Sequence, residues 1–299
     1  MAAGHWVGID QGFSQMGLAI LGPGGDVLAS EKTREPAGDG HDREVALARL
    51  RTLLARVEAW RDVPVHLAGY CYEESGVAQA FAAAGWSVAG TKGLNDVLGV
   101  YGLTAMRGNV VVAGCGTYSQ VVYVDDHQDV RWPGDDVAER LPEWLLSGRA
   151  YAGFIVERAR QGADPATGDL RAAVRRLLGA ASVETTPQAW GALGRLLPDV
   201  VDVPGTRAFL HHAAAAVLAT RDVLWGHSGA ARAPEVALGG GAVRDDRLWA
   251  PLAGLLAAQG AAVSRVEGGP AVGLARFALA HPEADAWAVI GRRRPAWLS

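Results

Sequence analysis

Three glycine-containing turns hold most of the groups in this sequence that could do chemistry. The first turn links two apolar runs and consists of Asp10, Gln11, Gly12, Phe13, Ser14 and Gln15. Backbone N–H groups in such a turn, together with a serine hydroxyl, can bind phosphate oxygens, and an aspartate at the end of a strand can orient hydrated Mg²⁺. The alternative interpretation is an ordinary hairpin in which Gly12 supplies a positive φ.

The second turn repeats this composition farther along the chain. It consists of Gly114, Cys115, Gly116, Thr117, Tyr118 and Ser119. Glycines with neighbouring hydroxyl groups form a backbone nest of the size of an anion. Because the two turns occupy matching places in two similar halves, they predict a clamp on a polyphosphate.

The third turn is a run of three glycines, Gly239, Gly240 and Gly241, directly after an apolar segment. Without side chains, this backbone would let a flat adenine or a ribose lie close to it. Taken alone, three glycines are equally typical of a simple turn.

Two acidic pairs are candidates for binding a polar ligand. Glu73 and Glu74 follow an apolar run, and their carboxylates could accept hydrogen bonds from sugar hydroxyls. Asp135 and Asp136 lie in a longer polar stretch and could do the same. Each pair is also typical of the first turn of a helix, where negative charge is favourable.

The elements that must position these turns are predicted by the apolar pattern. Three short strands are expected from His5 to Ser30, then a helix near residues 41–60 with Asp39 or Asp42 as its N-cap. A strand, a helix and a second strand follow, and a further helix is predicted near residues 94–106.

The strand–turn–strand opening then recurs, which favours a duplicated α/β unit over a solenoid of shorter repeats. Most of the chain from residue 137 to 225 is predicted to be helical, with segments near 137–161, 169–180, 187–197 and 206–226. The last part returns to strand–helix–strand–helix, and Pro270 stands in the first turn of the final helix.

Composition excludes several classes of protein. Lysine and arginine number 28 against 32 aspartate and glutamate residues, so the net charge of −4 gives no footprint for nucleic acid or an anionic membrane surface. Two cysteines cannot form a disulfide framework or a four-cysteine zinc site within one chain. With no leader-like segment and no apolar run of membrane-spanning length, a cytoplasmic location is expected. No P-loop motif occurs, which excludes that class of ATPase.

In their order and spacing, five segments resemble the actin-like ATPase and sugar kinase superfamily: GIDQGFSQMGLAI, LNDVLGVYG, VVVAGCGTYSQVVYV, VALGGGAV and PAVGLARFAL. Within it, the sequence resembles the family that unites N-acetylglucosamine kinases with the ATPase activators of benzoyl-CoA-reductase type. The resemblance implies an α/β fold of two actin-like (ribonuclease-H-like) lobes with a nucleotide cleft between them. The lobes are expected at residues 1–105 and 106–299, the second with a helical insertion at about 137–230.

The resemblance also implies roles for single residues. Asp10 would hold Mg²⁺, Asp96 would be the catalytic base, and Asn95 would lie beside it at the substrate. The phosphates and the nucleoside would be bound by Gly12, Ser14, Gln15, Gly114, Gly116, Thr117, Gly239, Gly240 and Gly241. For Asp96 a helix N-cap is the alternative interpretation. Four residues depart from the family pattern: Gln11, Phe13, Cys115 and Tyr118.

The expected function is therefore an ATP- and Mg²⁺-dependent kinase that phosphorylates a hydroxyl of a hexosamine-like sugar or a related polyol. A homodimer is compatible with this expectation, whereas nucleic-acid and membrane partners are not expected. One alternative is an ATPase activator of a partner dehydratase, which would share a cysteine-ligated iron–sulfur cluster across a dimer. The other is a degenerate protein that binds a nucleotide or sugar without turnover.

Overall fold

The chain forms two compact units in a computed structural model. The first unit contains Met1–Gly108, Val124–Trp132 and Val266–Ser299, and the second contains Asn109–Tyr123 and Pro133–Arg265. The structure describes residues 4–40, 42–70, 74–117, 119–133, 140, 146–161, 172, 174, 190, 193–200 and 204–282. Within these ranges, every helix is too short or too polar to cross a membrane.

The first unit is built on a five-stranded sheet in the order β3-β2-β1-β4-β5. Its strands are β1 (His5–Gln11), β2 (Met16–Leu21), β3 (Val27–Thr33), β4 (Val65–Tyr70) and β5 (Val88–Gly93). The first three strands pair antiparallel, as the sequence predicted, whereas β4 runs parallel to both β1 and β5. The carboxyl ends of β1, β4 and β5 therefore lie at one edge of this sheet.

Three helices connect these strands or follow them: α1 (Arg43–Arg56), α2 (Glu74–Ala83) and α3 (Asp96–Tyr101). Of the two N-cap candidates for α1, the structure selects Asp42, whose side chain accepts hydrogen bonds from the N–H groups of Glu44 and Val45. The predicted end near residue 60 corresponds to a separate short 3-10 helix, Glu58–Trp60. Helix α1 packs its apolar face on the sheet and completes a core that includes Ile9, Leu18, Leu50, Leu53, Leu67 and Phe81.

The second unit is built on a five-stranded sheet in the order β10-β9-β6-β7-β8. Its strands are β6 (Val110–Cys115), β7 (Ser119–Val124), β8 (Val130–Arg131), β9 (Glu235–Gly239) and β10 (Val263–Val266). Its longer helices are α4 (Gly148–Gln161), α5 (Pro204–Ser228) and α6 (Asp246–Ala257), with short 3-10 helices at Leu197–Val200 and Gly241–Val243. The predicted helix 206–226 corresponds to α5, while most of the helices predicted at 169–180 and 187–197 lie outside the described residues.

The last helix, α7 (Pro270–Ala280), belongs to the first unit by its packing, although the sequence boundaries assign it to the second lobe. It lies directly against β1 and α3, because four glycines leave no side chain between the backbones. A Cβ on Gly8 would overlap the carbonyl of Ala271, and one on Gly273 would overlap the carbonyl of Gly99. Contacts between the backbones of residues that are far apart in the sequence leave no periodic pattern of apolar residues, so the sequence could not predict this packing.

Candidate active site

The first glycine turn connects β1 to β2 and is closed by a hydrogen bond from the Gly12 N–H to the Gln15 carbonyl, at 3.0 Å. Gly12 is not among the glycines with positive φ, so the interpretation in which it serves a left-handed turn is wrong. Ser14 is partly exposed and makes no hydrogen bond to any described residue. Its N–H and hydroxyl are therefore available to a ligand, as a phosphate-binding turn requires.

Asp10 and Asp96 bring two carboxyl groups, the first buried and the second partly buried, to the carboxyl edge of the first sheet. Asp10 is the penultimate residue of β1 and is only 9% exposed. Asp96 begins α3, three residues after β5 ends. Burial, with the nearby Asp96 carboxylate as the smaller cause, raises the pKa of Asp10 to about 7. The carboxyl ends of parallel strands are where α/β proteins bind ligands.

Asp96 is not the cap of its helix, so that alternative interpretation is wrong. The N-cap is Asn95, whose side-chain oxygen accepts a hydrogen bond of 3.0 Å from the Val97 N–H. Burial raises the pKa of Asp96 to about 6, while hydrogen bonds from the Val97 and Asp96 N–H groups act to lower it. One oxygen, Oδ1, is buried without a hydrogen-bond partner among the described residues. A buried carboxylate oxygen normally has a donor, so this atom can accept a hydrogen bond from a ligand.

The acidic pairs cannot be placed in the same way. Glu73, Asp135 and Asp136 lie outside the described residues. Glu74 is the first residue of α2, but its side chain is also outside the described part. Their proposed contacts with a polar ligand remain predictions.

In the second unit, the N–H groups at the start of α4 donate hydrogen bonds to the second glycine turn. The Gly148 N–H donates to the Gly116 carbonyl at 2.8 Å, and the Arg149 N–H donates to the Thr117 carbonyl at 3.1 Å. The Ser119 hydroxyl donates to the Leu146 carbonyl at 2.9 Å. The Gly116 and Thr117 carbonyls are thus held by the start of the helix, and this restrains the backbone of the turn. Tyr118 lies outside the described residues.

The second turn and the triple glycine lie side by side, because Gly114 of β6 pairs with Gly239 of β9 in parallel register. Gly240 has φ +113°, and a Cβ there would lie 2.6 Å from the Cys115 carbonyl oxygen. Gly241 differs, since a Cβ on it would have no heavy atom within 4 Å. Gly240 is therefore needed for backbone packing, while Gly241 borders open space in which a flat ligand could lie.

Cys115 argues against an iron–sulfur activator. Its side chain is fully buried in the apolar core of the second unit, where the Tyr151 ring also packs. A thiolate that bridges two subunits through a cluster must reach the surface. Cys71 lies outside the described residues, and no described group of three His, Cys, Asp or Glu side chains could hold a metal ion.

One residue beside the first turn, Arg49, was missed by the sequence analysis. Arg49 is buried behind the turn, and Gln11, which the sequence analysis noted only as a departure from the family pattern, fastens the turn to the loop before α1. A signal for Arg49 was present, because it stands on the apolar face of α1 between Ala46 and Leu53, at helical spacing. A charged residue at a core position is unusual and indicates a specific partner.

No protein-family profile matches the sequence, and no curated protein matches it significantly. Solved structures do match. A protein from Porphyromonas gingivalis, provisionally named an N-acetylglucosamine kinase, superimposes with a TM-score of 0.66 at 14% identity, covering 92% of this chain and 98% of that one. A ROK family glucokinase from Streptomyces griseus, in complex with glucose and AMPPNP, gives a TM-score of 0.59 at 18% identity, covering 92% of this chain and 98% of that one.

The same fold also occurs in a protein of another class. A ROK family transcriptional regulator, homologous to the Escherichia coli MLC protein, gives a TM-score of 0.52 at 14% identity, covering 92% of this chain and 78% of that one. These similarities show the fold alone: the chain shares the α/β fold of these solved sugar kinases and of the regulator, as the sequence predicted. Function must be argued from the site, because one fold serves several activities.

Proposed function

We propose that this chain, which has the fold of the sugar kinases, transfers the γ-phosphoryl group of ATP to a hydroxyl of a hexosamine-like sugar. One observation carries the proposal: two carboxyl groups with raised pKa values, the buried Asp10 and the partly buried Asp96, lie near each other at the carboxyl edge of the first sheet. Buried acids with strongly shifted pKa values are costly to keep and are concentrated at functional sites.

Asp10 is the candidate ligand of a divalent cation. Carboxylate oxygens are the preferred ligands of Mg²⁺, and a nearby cation would favour the ionised form of Asp10, which burial disfavours. In the proposal, Asp10 holds hydrated Mg²⁺, which neutralises charge on the phosphates of ATP. Asp10 therefore contributes its charge to nucleotide binding rather than to proton transfer.

Asp96 is proposed to accept the proton of the attacking sugar hydroxyl. Its Oδ1 has no hydrogen-bond partner among the described residues and can receive a hydrogen bond from the sugar. As the sugar oxygen forms its bond to the γ-phosphorus, the bond from that phosphorus to the ADP oxygen breaks, and the hydroxyl proton passes to Asp96. A pKa of about 6 suits this role, because the group is ionised at neutral pH and more basic than an exposed aspartate. Asn95 fixes the position of the helix start that carries it.

The nucleotide is assigned to the three turns. In the first unit, the N–H and hydroxyl of Ser14 are free to bind phosphate oxygens, with Gly12 and Gln15 closing the turn. In the second unit, Gly114, Gly116 and Thr117 would bind further phosphate oxygens. Gly239, Gly240 and Gly241 would border the nucleoside, with Gly241 facing open space.

The substrate class is tested by measuring ADP release with purified protein, MgATP and a panel of amino sugars, neutral sugars and polyols. We expect turnover with an N-acetylated hexosamine that exceeds turnover with glucose and with polyols. Activity on a neutral sugar alone would keep the kinase and overturn the hexosamine assignment. Tight ATP binding without ADP release from any acceptor would instead favour a non-catalytic binding protein.

A further inference from the structure

The interior of the first unit contains a charged side chain that the proposed chemistry does not yet use. Arg49 lies on the inward face of α1 and is 1% exposed. Its Nη1 donates to the Phe13 carbonyl at 3.1 Å, and its Nη2 donates to the Gly38 carbonyl at 3.0 Å. Further hydrogen bonds run from Nε to the Pro36 carbonyl at 3.1 Å and from Nη2 to the Arg34 carbonyl at 3.5 Å.

These hydrogen bonds join two separate segments. Phe13 belongs to the first glycine turn, whereas residues 34–38 belong to the loop between β3 and α1, which we term the 34–40 loop. The same two segments are joined by the Gly40 N–H, which donates to the Phe13 carbonyl at 2.9 Å, and by Gln11 Nε2, which donates to the Gly40 carbonyl at 2.8 Å. A Cβ on Gly40 would overlap the Gly12 carbonyl and would lie 2.6 Å from Arg49 Nη1. Turn and loop therefore pack backbone to backbone around one guanidinium.

Burying a guanidinium costs more free energy than burying a neutral side chain that could join the same two segments. Burial lowers the pKa of Arg49, and the nearby Asp39 carboxylate partly opposes this, yet an arginine keeps its charge in proteins. A buried charge costs free energy that a neutral amide would avoid, and Gln11 already makes such a neutral link in the same place. The positive charge itself is therefore the feature that requires a role.

The position of the charge indicates the role. The carbonyl that Nη1 contacts is that of Phe13, and the same peptide bond carries the Ser14 N–H, which has no partner in the described part of the chain. A cation on a peptide oxygen polarises the whole peptide group and makes its N–H a stronger donor. In a buried site the charge also attracts an anion at short range far more than it would in water.

We propose that Arg49 is a positioning residue for the phosphates of the nucleotide: it fixes the Phe13–Ser14 peptide and places a buried positive charge behind the first turn. This inference rests on the proposed function and adds to it the residue that prepares the turn. Gly40 is its counterpart in the 34–40 loop, because only a residue without a side chain lets the loop reach the turn.

The test measures MgATP binding by titration calorimetry for Arg49→Lys, Arg49→Met and Gly40→Ala. We expect the Kd for MgATP to rise about tenfold in Arg49→Lys, which keeps the positive charge but loses the planar set of guanidinium N–H donors. In Arg49→Met, which also loses the charge, the Kd should rise further. Gly40→Ala, which keeps the arginine but forces the 34–40 loop away from the first turn, should raise the Kd as well. Hydrogen exchange should become faster at the Gly12 and Gly40 amides in all three variants.

Two control variants on the same helix separate positioning from loss of stability. Arg56→Lys alters an exposed arginine that also donates to a backbone carbonyl, that of Lys32, and should leave the Kd unchanged. Leu53→Ala removes a fully buried core side chain away from the turn and should lower the melting temperature without changing the Kd.

Each outcome decides one claim. If wild-type protein binds MgATP and the Arg49 and Gly40 variants bind it equally well, the positioning role is overturned while the proposed function stands. An equal rise of the Kd in Leu53→Ala would also overturn it, because general destabilisation would then explain the effect. If wild-type protein binds no MgATP, the proposed function itself fails, and the inference fails with it.

Discussion

The ionised forms of Asp10 and Asp96 destabilise the folded protein, but in the proposed reaction these negative charges bind Mg²⁺ and accept a proton. Burial alone would keep both groups protonated at a pH well above the usual value for aspartate. The chain retains them without a compensating lysine or arginine in contact with either carboxylate among the described residues. This arrangement is expected when the missing positive charge arrives with a ligand.

Gly241 gives the sharpest residue-level test of where the nucleoside lies. Gly241→Val adds a branched side chain in open space, at a glycine that does not have positive φ. We expect a normal melting temperature and an increase of about tenfold or more in the Kd for MgATP, equivalent to roughly 1.4 kcal/mol. Titration calorimetry on the folded variant measures this.

A matched control is Gly269→Val, because Gly269 is also exposed, borders open space and precedes a proline in an extended conformation that suits valine. Its Kd should equal that of wild type. Equal affinities in both variants would remove the nucleoside from the triple glycine. Gly240 is less suitable, because its positive φ and its contact with Cys115 make any substitution there a test of folding.

The sequence predicted the types of the site residues better than their surroundings. Asp10 and the glycine turns were proposed from short segments of sequence, and Asp96 was proposed from the resemblance to the sugar kinases. Neither the burial of Asp96 nor its relation to Asn95 as cap could be predicted, since both depend on how α3 meets the rest of the first unit. Arg49 was missed because its partners are backbone carbonyls of distant residues, which no side-chain motif encodes.

At the scale of elements, the acid pair depends on the contact between α3 and α7. Gly99 of α3 and Gly273 of α7 let the two helices touch through their backbones, and a Cβ on Gly99 would lie 2.5 Å from the Pro270 carbonyl oxygen. Because α3 begins with Asp96, a shift of this helix moves the proposed base. The strands and most helices were predicted from local periodicity, but this contact joins segments that are far apart in the chain.

We expect Gly99→Ala to lower the free energy of unfolding by about 1–3 kcal/mol, the usual cost of forcing a group into a packed contact, and to lower kcat as Asp96 is displaced. Urea unfolding and steady-state kinetics measure the two effects. Gly254→Ala in α6 is the control, because its Cβ meets nothing within 4 Å and alanine favours a helix. A Gly99→Ala protein as stable and active as the Gly254→Ala protein would contradict this view of α3.

At the scale of the whole molecule, the acid pair should make the free protein less stable as pH rises. Burial raises the pKa of Asp10 to about 7 in the folded state, against 3.8 for an exposed aspartate, so between about pH 4 and 7 the folded state binds a proton that the unfolded state has released. The free energy of unfolding must then fall across this window and become constant above it. For Asp10 alone the fall is roughly 4 kcal/mol.

Urea unfolding at pH 5 and pH 8 tests this prediction with Asp10→Asn as the comparison. The amide is neutral at both pH values, so the variant should lose less stability than wild type between them and should be the more stable protein at pH 8. An Asp10→Asn protein with the same pH dependence as wild type would show that Asp10 is not a buried acid with a raised pKa.

The central claim, that Asp96 accepts the proton of the sugar hydroxyl, is tested most directly by single-turnover transfer of labelled phosphate from ATP to the preferred sugar in Asp96→Asn. The account predicts that the rate of transfer falls by roughly 10²- to 10⁴-fold, while the Kd for MgATP and the melting temperature stay near those of wild type or improve. Transfer at a rate near that of wild type would contradict the claim, since asparagine cannot take up the proton.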